Sequence, residues 1–190
     1  MNNMKSFRRI NETEQGIIRN SLGKISNTAL SALAKSNNEL YISESSSSKR
    51  YFYPRVYLLP NSLSEIINRS KSIIYSAGLF FGFIKKGKFL ISLEGAFSLH
   101  ERDGFTEEHQ IYVNEKGEKS VLYGNKILKN MILKTPSNLK KNSFVLIFNA
   151  LNELIAIGQT QVDDETIHNL ENDGIVALNL VDKGYYLRKQ

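Results

Sequence analysis

Val121-Leu122-Tyr123-Gly124-Asn125-Lys126-Ile127-Leu128-Lys129 is the stretch on which the reading of this chain turns. Tyr123, Ile127 and Leu128 recur at i, i+4 and i+5, the spacing of one apolar helix face. Gly124 leaves the backbone bare ahead of that helix, and Asn125 is one of the residue types that accept a backbone N–H at an N-cap. Lys126 and Lys129 are three apart and emerge together on the opposite face. A helix start with a bare glycine and paired ammonium groups suits a sugar–phosphate strand, because free N–H groups and the helix dipole both favour an anion. None of these side chains does covalent chemistry, so the segment speaks for binding over catalysis. The same residues also suit an ordinary capped helix with solvated lysines, and only the surrounding chain separates the two readings.

The chain has 190 residues, 41% of them hydrophobic, room for one generous domain or two small ones with an ordinary core. No apolar run reaches the roughly 18 residues of a membrane-spanning helix. Lys5, Arg8 and Arg9 near the N-terminus have no apolar stretch behind them, so a signal peptide is not expected. Cysteine is absent, which excludes disulfides, thiolate catalysis and cysteine-ligated zinc. A cytoplasmic protein is the expectation. His100, His109 and His168 lie in neither HExxH nor HxH spacing and read as solvated or packed side chains.

The net charge of +6 is unevenly placed. Residues 105–190 carry ten bases against eleven acids, a balance of −1, so the first 104 residues carry +7. Within the second half, 116–141 holds seven lysines against Glu118 alone, whereas 153–182 holds seven acids and no lysine or arginine. Two opposed patches of this kind would orient a small domain on a polyanion.

Residues 10–35 read as a helix with Asn11 or Thr13 as cap, Glu12 and Glu14 at its positive end, and a break near Ser26-Asn27. Its apolar stripe is Ile17, Ile18, Ile25, Leu30 and Leu33. Leu40–Ile42, Tyr51–Tyr53 and Val56–Leu59 are strand material, Pro54 marks a bend, and Ser45–Ser48 reads as a flexible loop. Asn61–Arg69 reads as a helix with Leu63, Ile66 and Ile67 on one side. The strongest β-signal runs from Ile73 to Leu99. Ala77–Ile84 and Phe89–Leu93 form an antiparallel pair across the turn Lys85-Lys86-Gly87-Lys88, and Gly95–Leu99 end the block.

Residues 103–108 look like a linker, which divides the chain into domains 1–104 and 105–190. The second is expected to be mostly β, with strands at His109–Val113, Phe144–Phe148, Leu154–Gln159, Ile175–Leu180 and Tyr185–Leu187, a turn at Gly117 and the helix after Gly124. Five short strands at close spacing suggest a small barrel of about 80 residues.

Catalytic patterns are missing: there is no GxGxxG, P-loop, GxSxG or nucleophile triad. Asp163-Asp164-Glu165 lacks the alternating spacing of a metal-binding loop and reads as a solvated acidic turn. Three groups of residues are candidates for RNA. The first is Gly124, Asn125, Lys126 and Lys129. The second is Lys134, Lys140 and Lys141. The third is the hairpin turn Lys85, Lys86 and Lys88, with Lys49, Arg50 and Arg55 in the same domain. Each lysine would add salt-dependent affinity without sequence preference. Tyr51 and Tyr53 can stack on unpaired bases, although packing on a sheet face is the commoner role for such tyrosines. A lysine-bearing hairpin also protects a sheet edge from pairing.

The order Leu122–Lys129, then Ala156-Ile157-Gly158, then Asp173-Gly174-Ile175-Val176, resembles a PUA domain, a pseudo-barrel that binds structured RNA. Ser76–Phe83, followed by Lys88-Phe89 and Leu93, resembles the pre-PUA domain of the Nip-seven large-subunit ribosome biogenesis factors, here of archaeal type. Gly184–Arg188 is similar to the ending of that family. The resemblance spans about residues 10–188. It implies an α+β fold, with an N-terminal antiparallel sheet and helices followed by a mostly-β pseudo-barrel. It implies an assembly factor without catalysis or cofactor, and a monomer without membrane contact, nucleolar if eukaryotic. The partners it implies are pre-ribosomal or U-rich RNA and other ribosome assembly or RNA-processing proteins of exosome type. One departure stands out. Archaeal relatives tend to carry a basic cluster after the Ala-Ile-Gly strand, where this chain has Gln159-Thr160-Gln161-Val162-Asp163-Asp164-Glu165. Acids repel phosphate, so those contacts are not carried over. The alternative is a protein-interaction adaptor with little RNA binding of its own.

Overall fold

The computed structural model describes residues 5–45, 53–69, 74 and 76–188. They fall into two units, Met1–Gly104 and Phe105–Gln190. Most of Ser45–Ser48, with Lys49, Arg50, Tyr51, Phe52, Ile73 and Tyr75, lies outside the described residues.

In the first unit, strand β1 (Lys5–Arg9) leads into helix α1 (Glu12–Ile25). Asn11 starts that helix: its side chain accepts the Glu14 N–H at 2.9 Å, and the Glu14 carboxylate accepts the Asn11 N–H at 2.8 Å. Two backbone donors that the first helical turn leaves unpaired are thereby satisfied. Ser26 ends α1 and, by accepting from Ala29, starts α2 (Asn27–Lys35), which places the break where the sequence put it. Strands β2 (Asn38–Ser45) and β3 (Arg55–Pro60) follow, then the short helix α3 (Ser64–Arg69). Of its expected apolar side only Ile67 is buried, while Leu63 and Ile66 are exposed.

Strands β4 (Leu79–Lys85) and β5 (Lys88–Ile91) form the expected hairpin. Lys86 and Gly87 both take positive φ, 49° and 70°, as a two-residue turn matched to the strand twist requires. The return strand stops at Ile91. Ser92 accepts the Gly95 N–H and opens helix α4 (Leu93–His100), so the block does not end in extended chain as expected. The sheet order is β1-β2-β3-β4-β5, every pair antiparallel. Helices α1 and α4 lie against β5 and β4. Ile18, Leu22, Ile42, Val56, Phe81 and Phe89 are among the residues buried in this unit. A separate cluster joins Phe7, Tyr41, Tyr57, Leu59 and Ile67. Each fully buried side chain of this size contributes about 1.5–3 kcal/mol.

The second unit begins with β6 (Gln110–Val113) and α5 (Glu115–Leu122), capped by Asn114. Strands β7 (Ile127–Leu128), β8 (Ile132–Lys134), β9 (Phe144–Phe148) and β10 (Leu154–Thr160) follow, then α6 (Asp164–Ile167), β11 (Ile175–Asp182) and α7 (Tyr185–Arg188). The order β7-β11-β10-β9-β6-β8 makes a nearly closed, barrel-like sheet, in which β6 and β9 are parallel and the other pairs antiparallel. Register shifts in the pairings of β10 with β9 and with β11 are the kind of bulge that bends strands around a barrel. Ile111, Val121, Ile127, Val145, Ile155 and Val176 lie in the core.

Three local expectations fail here. Gly117 sits inside α5 and not in a turn. Tyr185–Leu187 is helical, not a strand. The segment after Gly124 is the strand β7, not a helix. Gly117 is needed where it stands, because a Cβ there would lie 2.8 Å from the Met131 Cβ and 2.9 Å from the Val113 Cβ.

Two predictions follow from this packing. Gly117→Ala should destabilise the protein by about 1–3 kcal/mol in urea unfolding, although helix propensity alone favours alanine by about 1 kcal/mol. A stabilised variant would mean that α5 does not pack this closely. The second concerns Arg8, which donates to both Glu14 oxygens at 2.7 and 2.9 Å and also to Glu44. Those hydrogen bonds hold the Glu14 carboxyl below its ordinary value of 4.5. The stabilisation is therefore present above pH 4.5 and is lost as pH falls through the lower, folded-state value. Glu14→Gln should be less stable than the parent at neutral pH, with the gap closing in acid. A gap that stayed constant in thermal melts down to pH 3 would contradict it.

Candidate nucleic-acid interface

The segment around Gly124 closes a helix; it does not open one. Tyr123 terminates α5. Gly124 has φ +85° and donates to the Val121 carbonyl at 2.8 Å, and Asn125 donates to the Ser120 carbonyl at 3.1 Å. These two bonds are the signature of a helix carboxyl end sealed by a left-handed glycine. The partial charge there is negative, so the helix start expected at Gly124 and Asn125, and the dipole argument built on it, do not hold. The shared apolar face fails as well, since Tyr123 is 75% exposed and Ile127 fully buried.

A cation does sit at this helix end, and it comes from the protein itself. Arg188 on α7 donates to the Leu122 carbonyl and grips both Asp182 oxygens at 2.9 and 3.0 Å. Asp182 is only 3% exposed, a depth at which a carboxylate needs a partner. Lys129 is likewise engaged: its ammonium donates to the His168 and Leu170 carbonyls, at 2.8 and 2.5 Å. Of the first candidate group only Lys126 presents an exposed cation.

In the second group, the Lys134 ammonium lies 5.7 Å from the Tyr112 ring centre and 3.9 Å from Glu107. It borders a cleft of about 270 Å³ that also has Gln110, Tyr112, Ser137 and Asn138 in its lining. Tyr112 stacks on Phe148 at 5.3 Å, and its hydroxyl lies 3.0 Å from the side-chain oxygens of both Gln110 and Asn152, within reach to donate to either. Lys140 and Lys141 are exposed on the loop before β9. That loop is tied to the acidic segment, for the Lys141 N–H donates to Asp163 and the Asp164 N–H to the Leu139 carbonyl. Residues 139–141 of the lysine-rich stretch and 163–164 of the acid-rich one are therefore adjacent in space. At this point the two expected patches meet. Asp163-Asp164-Glu165 starts α6, and no group of acids and histidines able to hold a metal occurs among the described residues.

In the first unit, Lys85, Lys86 and Lys88 sit on the β4–β5 hairpin, the last two exposed. The Lys85 ammonium lies 4.9 Å from the Tyr53 ring centre, and that ring stacks on Phe83 at 5.7 Å. Sequence reasoning passed over Phe83, Tyr112, Arg188 and Asp182. Alternation in β6 hinted at Tyr112, but nothing local joins position 188 to position 122.

Comparison with known proteins bears on both units. A family model described as the NIP7/UPF0113 pre-PUA domain matches residues 7–93, and one described as the UPF0113 PUA domain matches residues 109–190. A UPF0113 protein of Archaeoglobus fulgidus is 34% identical over 103 residues, which cover 54% of this chain and 56% of that protein. The match thus spans little more than half of that relative. The 60S ribosome subunit biogenesis protein NIP7 of Saccharomyces cerevisiae is 27% identical over 139 residues, 72% of this chain and 74% of that protein. Among solved structures, a conserved PUA domain protein from Thermoplasma acidophilum aligns with TM-score 0.60 at 15% identity, over 97% of this chain and 98% of its own. A PUA domain from Aeropyrum pernix K1 gives 0.64 at 11%, over 96% and 89%. At such identities the structural likeness concerns the fold.

Lys126 and Lys129, three residues apart, should behave differently when altered. Lys129→Met should cost about 1–3 kcal/mol of stability, because two carbonyls lose a charged donor. Lys126→Glu should leave stability within about 0.5 kcal/mol, as for most exposed substitutions. Equal thermal shifts for the two variants would contradict the assignment.

Proposed function

The chain belongs to the NIP7/UPF0113 family, and we propose on that premise that it is a non-catalytic RNA-binding factor in assembly of the large ribosomal subunit. It binds pre-ribosomal RNA and other assembly or RNA-processing proteins, and works as a monomer in the cytoplasm or, in a eukaryote, the nucleolus. The observation that carries this reading is the pairing of a PUA unit with a pre-PUA unit, as in relatives named for 60S subunit biogenesis. Exposed cations support it: Lys126, Lys134, Lys140 and Lys141 in the second unit, and a first half with a net charge of +7. Their contribution is to bind phosphate by charge, which neither reads sequence nor makes or breaks bonds. No helix among the described residues is long and apolar enough to cross a membrane.

A second reading, the protein adaptor, is favoured by one observation. The acidic start of α6 is bonded to the lysine loop, so it weakens the field that Lys140 and Lys141 present to phosphate.

The test is RNA affinity as a function of salt. Lys126→Glu, Lys140→Glu and Lys141→Glu together should weaken binding of a pre-ribosomal RNA fragment and reduce the slope of log K against log salt by about 2–3. If the intact protein binds no RNA, yet keeps its protein partners after ribonuclease treatment, the adaptor reading replaces this one.

A further inference from the structure

Within the first unit, the ends of β3, β4 and β5 present one surface that the PUA unit does not account for. Strand register fixes which side chains share it. Arg55 lies opposite Phe83, Phe83 opposite Leu90, and Lys85 opposite Lys88. Residues directly opposite in an antiparallel pair project from the same face, as do residues two apart on one strand. Tyr53 precedes Arg55 by two, and backbone bonding to β4 extends one residue beyond Arg55 toward it, since the Ile84 N–H donates to the Pro54 carbonyl at 2.9 Å. The reverse face carries Val56, Phe89 and Ile91, all buried. On the front, Lys88 is exposed and Leu90 is 42% exposed, while Tyr53 and Phe83 are half-buried and stacked.

This surface is both basic and aromatic. The β4–β5 hairpin, residues 79–91, holds Lys85, Lys86 and Lys88 and no aspartate or glutamate. In the second unit, by contrast, the lysine loop is bonded to an acidic turn. Protection of a sheet edge accounts for lysines at a hairpin, but it does not call for an exposed leucine and a stacked ring pair between them. A patch of aromatic and aliphatic groups bordered by cations matches an unpaired nucleotide, whose base has an apolar face and whose phosphates are anionic.

We infer that the front of β3–β5 is a second nucleic-acid site, a stacking platform for single-stranded RNA. Bases lie against Phe83, Tyr53 and Leu90, and Lys85 and Lys88 take the phosphates. The inference rests on the RNA-binding reading above, but on residues separate from those tested there. Stacking accepts any base, so the platform contributes affinity for unpaired strands and little sequence preference.

The test uses the full chain and a labelled 12-nucleotide single-stranded RNA in fluorescence anisotropy, with a duplex of the same sequence as control. Lys85→Glu with Lys88→Glu should weaken single-strand binding and lower its salt slope by about 1.4, two phosphate contacts' worth. Tyr53→Ala should cost about tenfold with the slope unchanged, which separates stacking from charge. Leu90→Ser, at an exposed position, should reproduce a smaller loss and guards against a Tyr53 variant that misfolds. If the parent binds no RNA at all, the RNA-binding reading falls and this site with it. If the parent binds and these variants bind equally well, this site alone is overturned. If the lysine variant keeps its RNA affinity but loses a ribonuclease-resistant protein partner, the surface is a protein contact and the inference is wrong.

Discussion

Everything in the second unit depends on how the carboxyl end of α5 is closed. The bonds from Gly124 and Asn125 take up the Val121 and Ser120 carbonyls. Arg188 takes the Leu122 carbonyl, and Asn179 donates to the Val121 carbonyl at 2.8 Å. A Cβ at position 184 would overlap the Leu122 oxygen, so the backbone at Gly184 can reach it only as glycine. This one point draws α5, β11 and α7 together and pairs the buried Asp182 with the partly exposed guanidinium of Arg188. The Arg188 side chain is held more basic than usual by its hydrogen bonds to that carboxylate.

That closure also decides the electrostatics of the region. A helix carboxyl end attracts cations, and Arg188 occupies it. Lys129 spends its donors on carbonyls, and the turn at Asp163 binds the backbone of the lysine loop. Charges that look available along the sequence are partly absorbed in holding the unit together. The remaining cations are distributed: some lie on loops of the second unit, and Lys85, Lys86 and Lys88 lie on the β4–β5 hairpin of the first.

What the sequence disclosed divides along the same line. The helix start near Asn11, the Ser26 break and the Lys86-Gly87 hairpin are written in residues a few positions apart and were legible, although Thr13 was as good a candidate cap and the return bond from Glu14 was not foreseen. So were the two-domain resemblance and four of the barrel strands, Gln110–Val113, Phe144–Phe148, Leu154–Thr160 and Ile175–Asp182. The polarity of the Val121–Lys129 segment was not, because Gly-Asn serves equally after one helix and before another. The signal that separates them lies upstream. Asn114 caps Glu115–Leu122, so the glycine falls just past the end of a helix already started, where glycine is most favoured. Of the ten candidate RNA residues, Gly124, Asn125 and Lys129 are engaged in internal hydrogen bonds. The contacts that engage Lys129 come from His168 and Leu170, which lie too far along the chain for local pattern to reveal. Helix α4 was missed for a related reason: Leu93–Leu99 is apolar enough to continue a strand, and only Ser92 marks the change.

The two sheets also differ in topology. In the first unit every strand pairs with its neighbour in the chain, so the sheet assembles as a meander from contacts close in sequence. In the second, β6 pairs with β8 and β9, and β7 waits for β11. Loops must close before those pairings form, and such long-range closure slows folding. On a translating ribosome the meander can be complete while the barrel is still a set of unpaired strands. The basic sheet is then exposed to nascent surroundings rich in RNA well before its partner unit has finished folding.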